Sequence, residues 1–278
     1  MISIVALLAG FMISIRLIYK QFFSIRQRLD SSDWTILVAM LLSLPTVAIT
    51  IFGMALHGMG KDLWGISPND LIIFGLCFYV IQILYVILMG FIKISLTLFY
   101  LPLFPGTTIR NLLWGTIGFH ILFTLGFAVG IIFQCVPISY QRAKYDLASP
   151  HSAHARCLDI NASGWANAAL TLASDIWLIG IPLSQLHKLK LHWKKKAGAV
   201  FMFLTGTAVT IVSVLRLRSI KYYANTTNPT WDQYDIVWWS TIEIGVGIMC
   251  TCLPAMRLIL VHIAPRVFSH DSMRSYEK

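Results

Sequence analysis

The sequence predicts an all-α membrane protein: seven helices crossing a bilayer as one bundle, with the N-terminus outside and the C-terminus in the cytosol. Three observations lead there. Apolar residues make up 57% of the 278 and charged residues only 12%, about half the roughly 25% of an ordinary soluble domain, and the mean hydropathy is +0.71. Seven stretches are long and apolar enough to span hydrocarbon, which takes about 20 residues at 1.5 Å of rise each. The basic residues fall mainly on one side of those stretches. Disorder, a coiled coil, a secreted miniprotein and a soluble enzyme all fit such a composition poorly.

The spans are expected at about 2–22, 34–56, 71–99, 111–135, 164–186, 197–217 and 236–260. Residues 1–265 then form one seven-helix unit and 266–278 a short cytosolic tail. The first span is the weakest, because Arg16 interrupts it after about 14 uncharged residues. A signal peptide would need a basic leader and a small-residue cleavage site, and neither is found there. The second span carries no charge from Trp34 to Gly60. In the third, Ser67-Pro68-Asn69-Asp70 reads as an N-cap with proline at the first helical position and an acid in the first turn. Pro102 and Pro105 should stop that helix, which at about 33 residues must tilt or project beyond the membrane. The fourth is uncharged between Arg110 and Arg142. A long connection, about 136–163, leads to the fifth, and five lysines between Lys188 and Lys196 precede the sixth. The charges of the seventh are Asp235, Glu243 and Arg257.

Orientation follows from the lysines and arginines. With the N-terminus outside, about 15 of the 22 lie on the inner side and about 7 on the outer, so the Lys188–Lys196 segment is cytosolic. The net charge of +10 then reflects topology and contact with anionic inner-leaflet lipid, and a nucleic-acid partner has no support. An odd number of helices also fits poorly with the paired repeats of many transporters.

Ionisable residues in hydrocarbon turn toward the bundle interior and find partners. At 100° per residue, Tyr79, Gln82, Tyr85, Lys93, Thr97 and Tyr100 share one face of the third helix. Asn167, Thr171, Ser174, Asp175, Pro182 and Gln185 share one of the fifth. Ser240, Glu243, Gly247, Cys250, Pro254 and Arg257 align on the seventh. Lys93 lies roughly 10 Å and Asp175 roughly 16 Å above the inner ends of their helices, within reach of a lysine side chain, so Lys93–Asp175 is expected to pair. Glu243 and Arg216 are expected to pair between the sixth and seventh helices. Such pairs either fix helix packing or act as a ligand-responsive switch, and both readings stand.

Cys135 and Cys157 bracket the long outer loop, where a disulfide is expected. Cys77, Cys250 and Cys252 lie in spans as packing residues. Asn161 and Asn225 head usable glycosylation sequons, whereas the one at Asn228 is barred by Pro229. No metalloprotease, nucleophile-elbow, P-loop or paired Cys-x-x-Cys motif occurs. His120 is the one histidine within a span, so no metal site, cofactor or catalytic role is expected. Retinal needs a Schiff-base lysine, and the seventh helix has none.

An ordered set of residues runs nearly the whole length: Asp33-Trp34, His57-Gly58-Met59-Gly60-Lys61, Lys93-Ile94-Ser95 leading to Phe99-Tyr100, and Gln134-Cys135-Val136-Pro137. Cys157, Asn161, Asn167 to Asp175, Leu183-Ser184-Gln185-Leu186, Trp193-Lys194-Lys195-Lys196, Trp239 to Glu243, Gly247 and Cys252-Leu253-Pro254 follow. The set resembles the fungal rhodopsin-domain family of seven-helix membrane proteins, which includes Pth11-like receptors. Some members look like G-protein-coupled receptors, some carry an extracellular CFEM domain, and others accompany secondary-metabolite gene clusters. The chain leaves no room for a CFEM domain, and its start at Met1 is expected to shorten the first span.

Three positions depart from the family pattern. Ser32 replaces a second acid, Asp62 a histidine, and Pro102 an arginine where a G protein would dock. The resemblance implies a receptor-like protein that senses a small apolar or amphipathic ligand near the outer face, beneath the disulfide-tied loop. Its signal would reach a G protein or other cytosolic partner at Lys188–Lys196. The alternative is an accessory protein of a biosynthetic cluster, acting as scaffold, transporter or unrecognised enzyme. In either case it is a multi-pass protein of the plasma membrane or an endomembrane.

Overall fold

The computed structural model describes residues 2–22, 30–104, 106–137, 140, 156–188, 193–223 and 228–263. Among them are seven helices long and apolar enough to cross a membrane: α1 (Ile2–Phe22), α2 (Ser31–Ala48), α3 (Pro68–Leu103), α4 (Thr107–Ile132), α5 (Ile160–Lys188), α6 (Trp193–Tyr223) and α7 (Pro229–Ile263). Large apolar side chains such as Leu7 on α1, Leu44 on α2, Leu122 on α4, Trp177 on α5 and Ile211 on α6 are exposed, as a lipid-facing perimeter requires. The protein is an integral, multi-pass membrane protein.

Helix α3 packs on α2, α4 and α7, and α7 on α1, α3 and α6, with α5 against α6. The interior therefore centres on α3 and α7. Tyr85, Leu88, Met89 and Ile92 of α3 meet Ile244, Ile248 and Cys252 of α7 in one cluster with Ile13 and Ile36. Gly90 lets α4 approach α3 closely, since a β-carbon there would collide with the Thr124 side chain.

The helices run longer than the apolar stretches that announce them. Polar ends such as Pro229–Asp235 continue the helix where the hydrophobic run has stopped. Ser67 caps α3: its Oγ accepts from the Asp70 N–H at 3.2 Å and donates to Asp70 Oδ2 at 2.7 Å. Pro102 lies within the last turn of α3, which ends only at Leu103. It breaks little there because the chain leaves the helix almost at once; Pro105 lies outside the described residues.

The second span is not one α-helix. From Ile49 to Ala55 it is a π-helix, one turn after Pro45. Proline removes an N–H and crowds the preceding turn, and a wider turn accommodates both. Thr46, near the end of α2, and Thr50, within the π-helical stretch, donate to the carbonyls of Leu42 and Thr46. The connection to α3 then turns at Gly58 and Gly60, whose φ values of 108° and 77° suit glycine. It is stitched to the start of α7: Gly60 N donates to Thr230 O, Thr230 Oγ1 to Lys61 O, and Leu63 N to Asn228 Oδ1.

Beyond α4 a short antiparallel ladder joins β1 (Cys135–Val136) to β2 (Arg156–Cys157). Cys135 and Cys157 face each other across it and are bonded. The ladder and the 56–67 connection mark one end of the bundle, called the hairpin end below. Lys188, where α5 closes, and Trp193, where α6 begins, lie at the other, called the α5–α6 end. Asn225, residues 264–278 and the side chains of Arg257 and of the Lys188–Lys196 segment lie outside the described residues.

Candidate functional site

Four charged side chains from four helices meet inside the bundle. Lys93 Nζ of α3 lies 2.9 Å from Asp175 Oδ1 of α5 and donates to the Thr171 carbonyl at 2.7 Å. Arg216 of α6 donates through Nη1 to the Tyr85 hydroxyl and, at 3.4 Å, to Glu243 Oε2 of α7. The Arg216 Cζ also sits 4.0 Å from the centroid of the Tyr85 ring, a cation–π arrangement. Tyr85 in turn donates to Glu243 Oε2 at 2.7 Å.

Ser213, one turn before Arg216 on α6, joins the two pairs. Its Oγ lies 2.9 Å from Asp175 Oδ2 and 2.7 Å from Glu243 Oε1. All four charged residues are buried, Glu243 completely. In a low-dielectric interior each depends on the others, because removing one partner leaves a stranded charge. The network is thus continuous across α3, α5, α6 and α7.

On the hairpin side the network forms the floor of a cavity. About 920 Å³ of space, part of it open to solvent, lies between the π-helical stretch, α3, the end of α4, the start of α5, α6 and α7. Phe78, Ile81, Phe127, Ile131 and Ile244 supply apolar wall. Gln82, Asn167 and Ser240 add polar groups, and Tyr85 and Arg216 lie among the lining residues. Asn161, in the first turn of α5, also lines this space, and its backbone N–H donates to Asp159 Oδ1 at 2.9 Å. A second space of about 500 Å³ touches Asp175 from the far side, with Tyr100, Phe203 and Cys250. The polar core therefore stands between two cavities.

A second buried ion-pair cluster lies toward the α5–α6 end and was not anticipated from the sequence. Arg16 donates to Asp33 Oδ1 through Nε at 3.0 Å and Nη2 at 2.8 Å, to Ser32 Oγ through Nη2 at 3.2 Å and to the Thr251 carbonyl through Nη1. Lys20 reaches Asp33 Oδ2 at 2.6 Å and Asp30 at 2.7 Å, and Ser95 Oγ donates to the Ser32 carbonyl. The cluster clamps α1, α2, α3 and α7 together. A lone arginine within an apolar span, followed by an acid at the start of the next, was the available signal.

His120 is buried, with no partner for Nε2 among the described residues. Cys77, Cys250 and Cys252 are unbonded, and no group of three metal-ligating side chains occurs among the described residues. The geometry does not fit a retinal Schiff base: α7 has no lysine, and Lys93 on α3 is already held by Asp175 and Thr171.

The profile of the fungal rhodopsin domain matches residues 15–262. A SAT4 family membrane protein of Emericella nidulans is 31% identical over 211 residues, 74% of this chain and 51% of that protein. Receptor GIN3 of Arthrobotrys oligospora is 25% identical over 86% of the chain and 56% of its own length. Fugralins biosynthesis cluster protein 2 of Gibberella zeae is 26% identical over 75% and 50%. The chain thus spans about half the length of these curated relatives. No solved structure matches it.

Proposed function

The chain belongs to the fungal rhodopsin-domain family, and on that premise we propose that it is a receptor-like protein sensing a small amphipathic molecule in the hairpin-end cavity. The hairpin end faces outward in this reading, and the α5–α6 end faces the cytosol. One observation carries it: the cavity has for its floor a buried charge network linking four helices. A molecule bound there touches Tyr85 and Arg216, and whatever it does to them is felt by Glu243, Ser213 and Asp175. Binding that favours one arrangement of these contacts shifts the population of helix tilts. The tilt is read at the Lys188–Lys196 segment by a G protein or another cytosolic partner. The relative named as a receptor supports the reading.

A second reading has support of its own, since one relative is named as a biosynthesis cluster protein. There the protein would serve as an accessory membrane component, as scaffold or transporter. Two experiments on the producing fungus separate them. If deletion of the gene leaves metabolite profiles intact and abolishes an extract-triggered signalling response, the receptor reading holds. If deletion removes a metabolite and no stimulus-dependent response exists, the accessory reading replaces it.

A further inference from the structure

The two buried arginines are held very differently. Arg16 bonds through Nε, Nη1 and Nη2 to Asp33, the Thr251 carbonyl and Ser32, and it lines none of the cavities described above. Arg216 bonds through Nη1 to the Tyr85 hydroxyl and Glu243, and its buried Nε has no partner among the described residues. An arginine Nε always carries its hydrogen, so no change of tautomer or protonation removes the demand. Left unmet in a protein interior, such a donor is costly. Of the two arginines, it is this one that lines the hairpin-end cavity.

The floor of that cavity is balanced in charge. Lys93 faces Asp175 at 2.9 Å and Arg216 faces Glu243 at 3.4 Å, two cations against two carboxylates. A guest bringing a further full charge would bury it without a counter-ion, which costs far more than a hydrogen bond returns. The idle Nε–H therefore calls for a neutral acceptor. On the wall, the hydroxyls of Thr46, Thr50, Ser240 and Thr241 spend their hydrogens on carbonyls one turn back along their own spans. None of the four is left to donate to a guest's oxygen, so that bond falls to the floor.

We infer that the cavity takes a neutral, largely apolar molecule whose carbonyl oxygen, as in a ketone, ester or lactone, accepts from Arg216 Nε. A carbonyl suits this place better than a hydroxyl, because it brings no hydrogen of its own that must find an acceptor. The apolar body lies along Phe78, Phe127 and Ile131. Nη1 stays with Tyr85 and Glu243, so the guest is held without breaking the ion pairs. The inference rests on the cavity being the ligand site of the receptor reading, but not on any signalling.

The test uses the full chain in lipid nanodiscs, with radiolabelled methyl dodecanoate, dodecane and ionised dodecanoate measured against empty nanodiscs. Methyl dodecanoate should bind saturably. Dodecane, which has the apolar body without the oxygen, should bind roughly 10- to 100-fold more weakly, the loss of one hydrogen bond from a charged donor. Dodecanoate, which adds a charge, should bind at least about 10-fold more weakly than the ester. These comparisons use the wild type and depend on no variant folding. Arg216→Lys keeps the charge balance but lacks the Nε–H, and should bring the ester down to the level of the alkane. Ser240→Phe, which leaves Arg216 intact and fills the cavity, should abolish saturable binding of the ester. Equal binding of ester and alkane, or dodecanoate binding as tightly as the ester, overturns the inference; if that binding is lost in Ser240→Phe, the cavity still stands as the ligand site. An ester preference that persists in Arg216→Lys, ester binding that survives Ser240→Phe, or no saturable ester binding to the wild type overturns it too. A missing signalling response would count against the receptor reading alone.

Discussion

Replacing Lys93 by methionine should be among the most damaging single changes in the bundle. The side chain keeps its length but loses the charge that lies 2.9 Å from Asp175 Oδ1 and the bond to the Thr171 carbonyl. At 2.9 Å and an effective dielectric constant of about 20, the lost attraction is about 6 kcal/mol before desolvation is counted. Desolvation offsets part of it, so the expected net cost is about 3–5 kcal/mol, the range for stranding one member of a buried pair. Lys93→Met/Asp175→Asn removes both charges and should recover much of that loss, giving a coupling of about 2–3 kcal/mol across the double-mutant cycle. Reversible unfolding of the detergent-solubilised protein, followed by tryptophan fluorescence, supplies the four stabilities. If the single variant matches the wild type, or the double variant loses the sum of the two singles, the pair contributes no coupled stability and the account of the core is wrong.

Other consequences follow from the same contacts. Denatured, unreduced protein should take up three thiol labels and five after reduction, because Cys77, Cys250 and Cys252 are free and Cys135 is bonded to Cys157; intact-mass measurement counts them. Closing a loop across 22 residues contributes about 3 kcal/mol in the chain-entropy account, so Cys135→Ser/Cys157→Ser should lower the unfolding midpoint measurably. Asp33→Asn should cost about 3–5 kcal/mol by stranding Arg16, and Arg16→Met/Asp33→Leu should be milder; chemical denaturation reads both. An impermeant thiol reagent applied to intact cells should label a cysteine placed at Lys61 and spare one placed at Lys190, and the reverse pattern would invert the proposed topology.

The seven spans were legible because hydrocarbon demands long uncharged runs, and runs such as Trp34–Gly60 stand out against any soluble background. Their ends were less legible. A helix continues past the hydrocarbon for as long as its backbone bonds close, so Pro229–Asp235 belongs to α7 although no apolar run includes it. The π-helical stretch after Pro45 was invisible, since Ile49–Ala55 is as apolar as the α-helix before it. Depth counting along two helices suffices to place Lys93 beside Asp175, because both positions lie on polar stripes. It says nothing of Tyr85 or Ser213 as links, since hydroxyls on a stripe give no hint of which acid they will face. In the sequence Arg16 reads only as a charge that interrupts the first span. The cavity had no sequence signal at all: it exists where side chains from six elements fail to fill the space between them.

The most direct measurement is native mass spectrometry of the wild-type protein and of Ser240→Phe, each extracted in mild detergent from the producing fungus. The account predicts a small molecule that stays with the wild type and is missing from the cavity-filled variant, with both variants folded. A wild-type protein that carries nothing under any growth condition, or a molecule held equally by both, would contradict the claim that this cavity is where the protein meets its ligand.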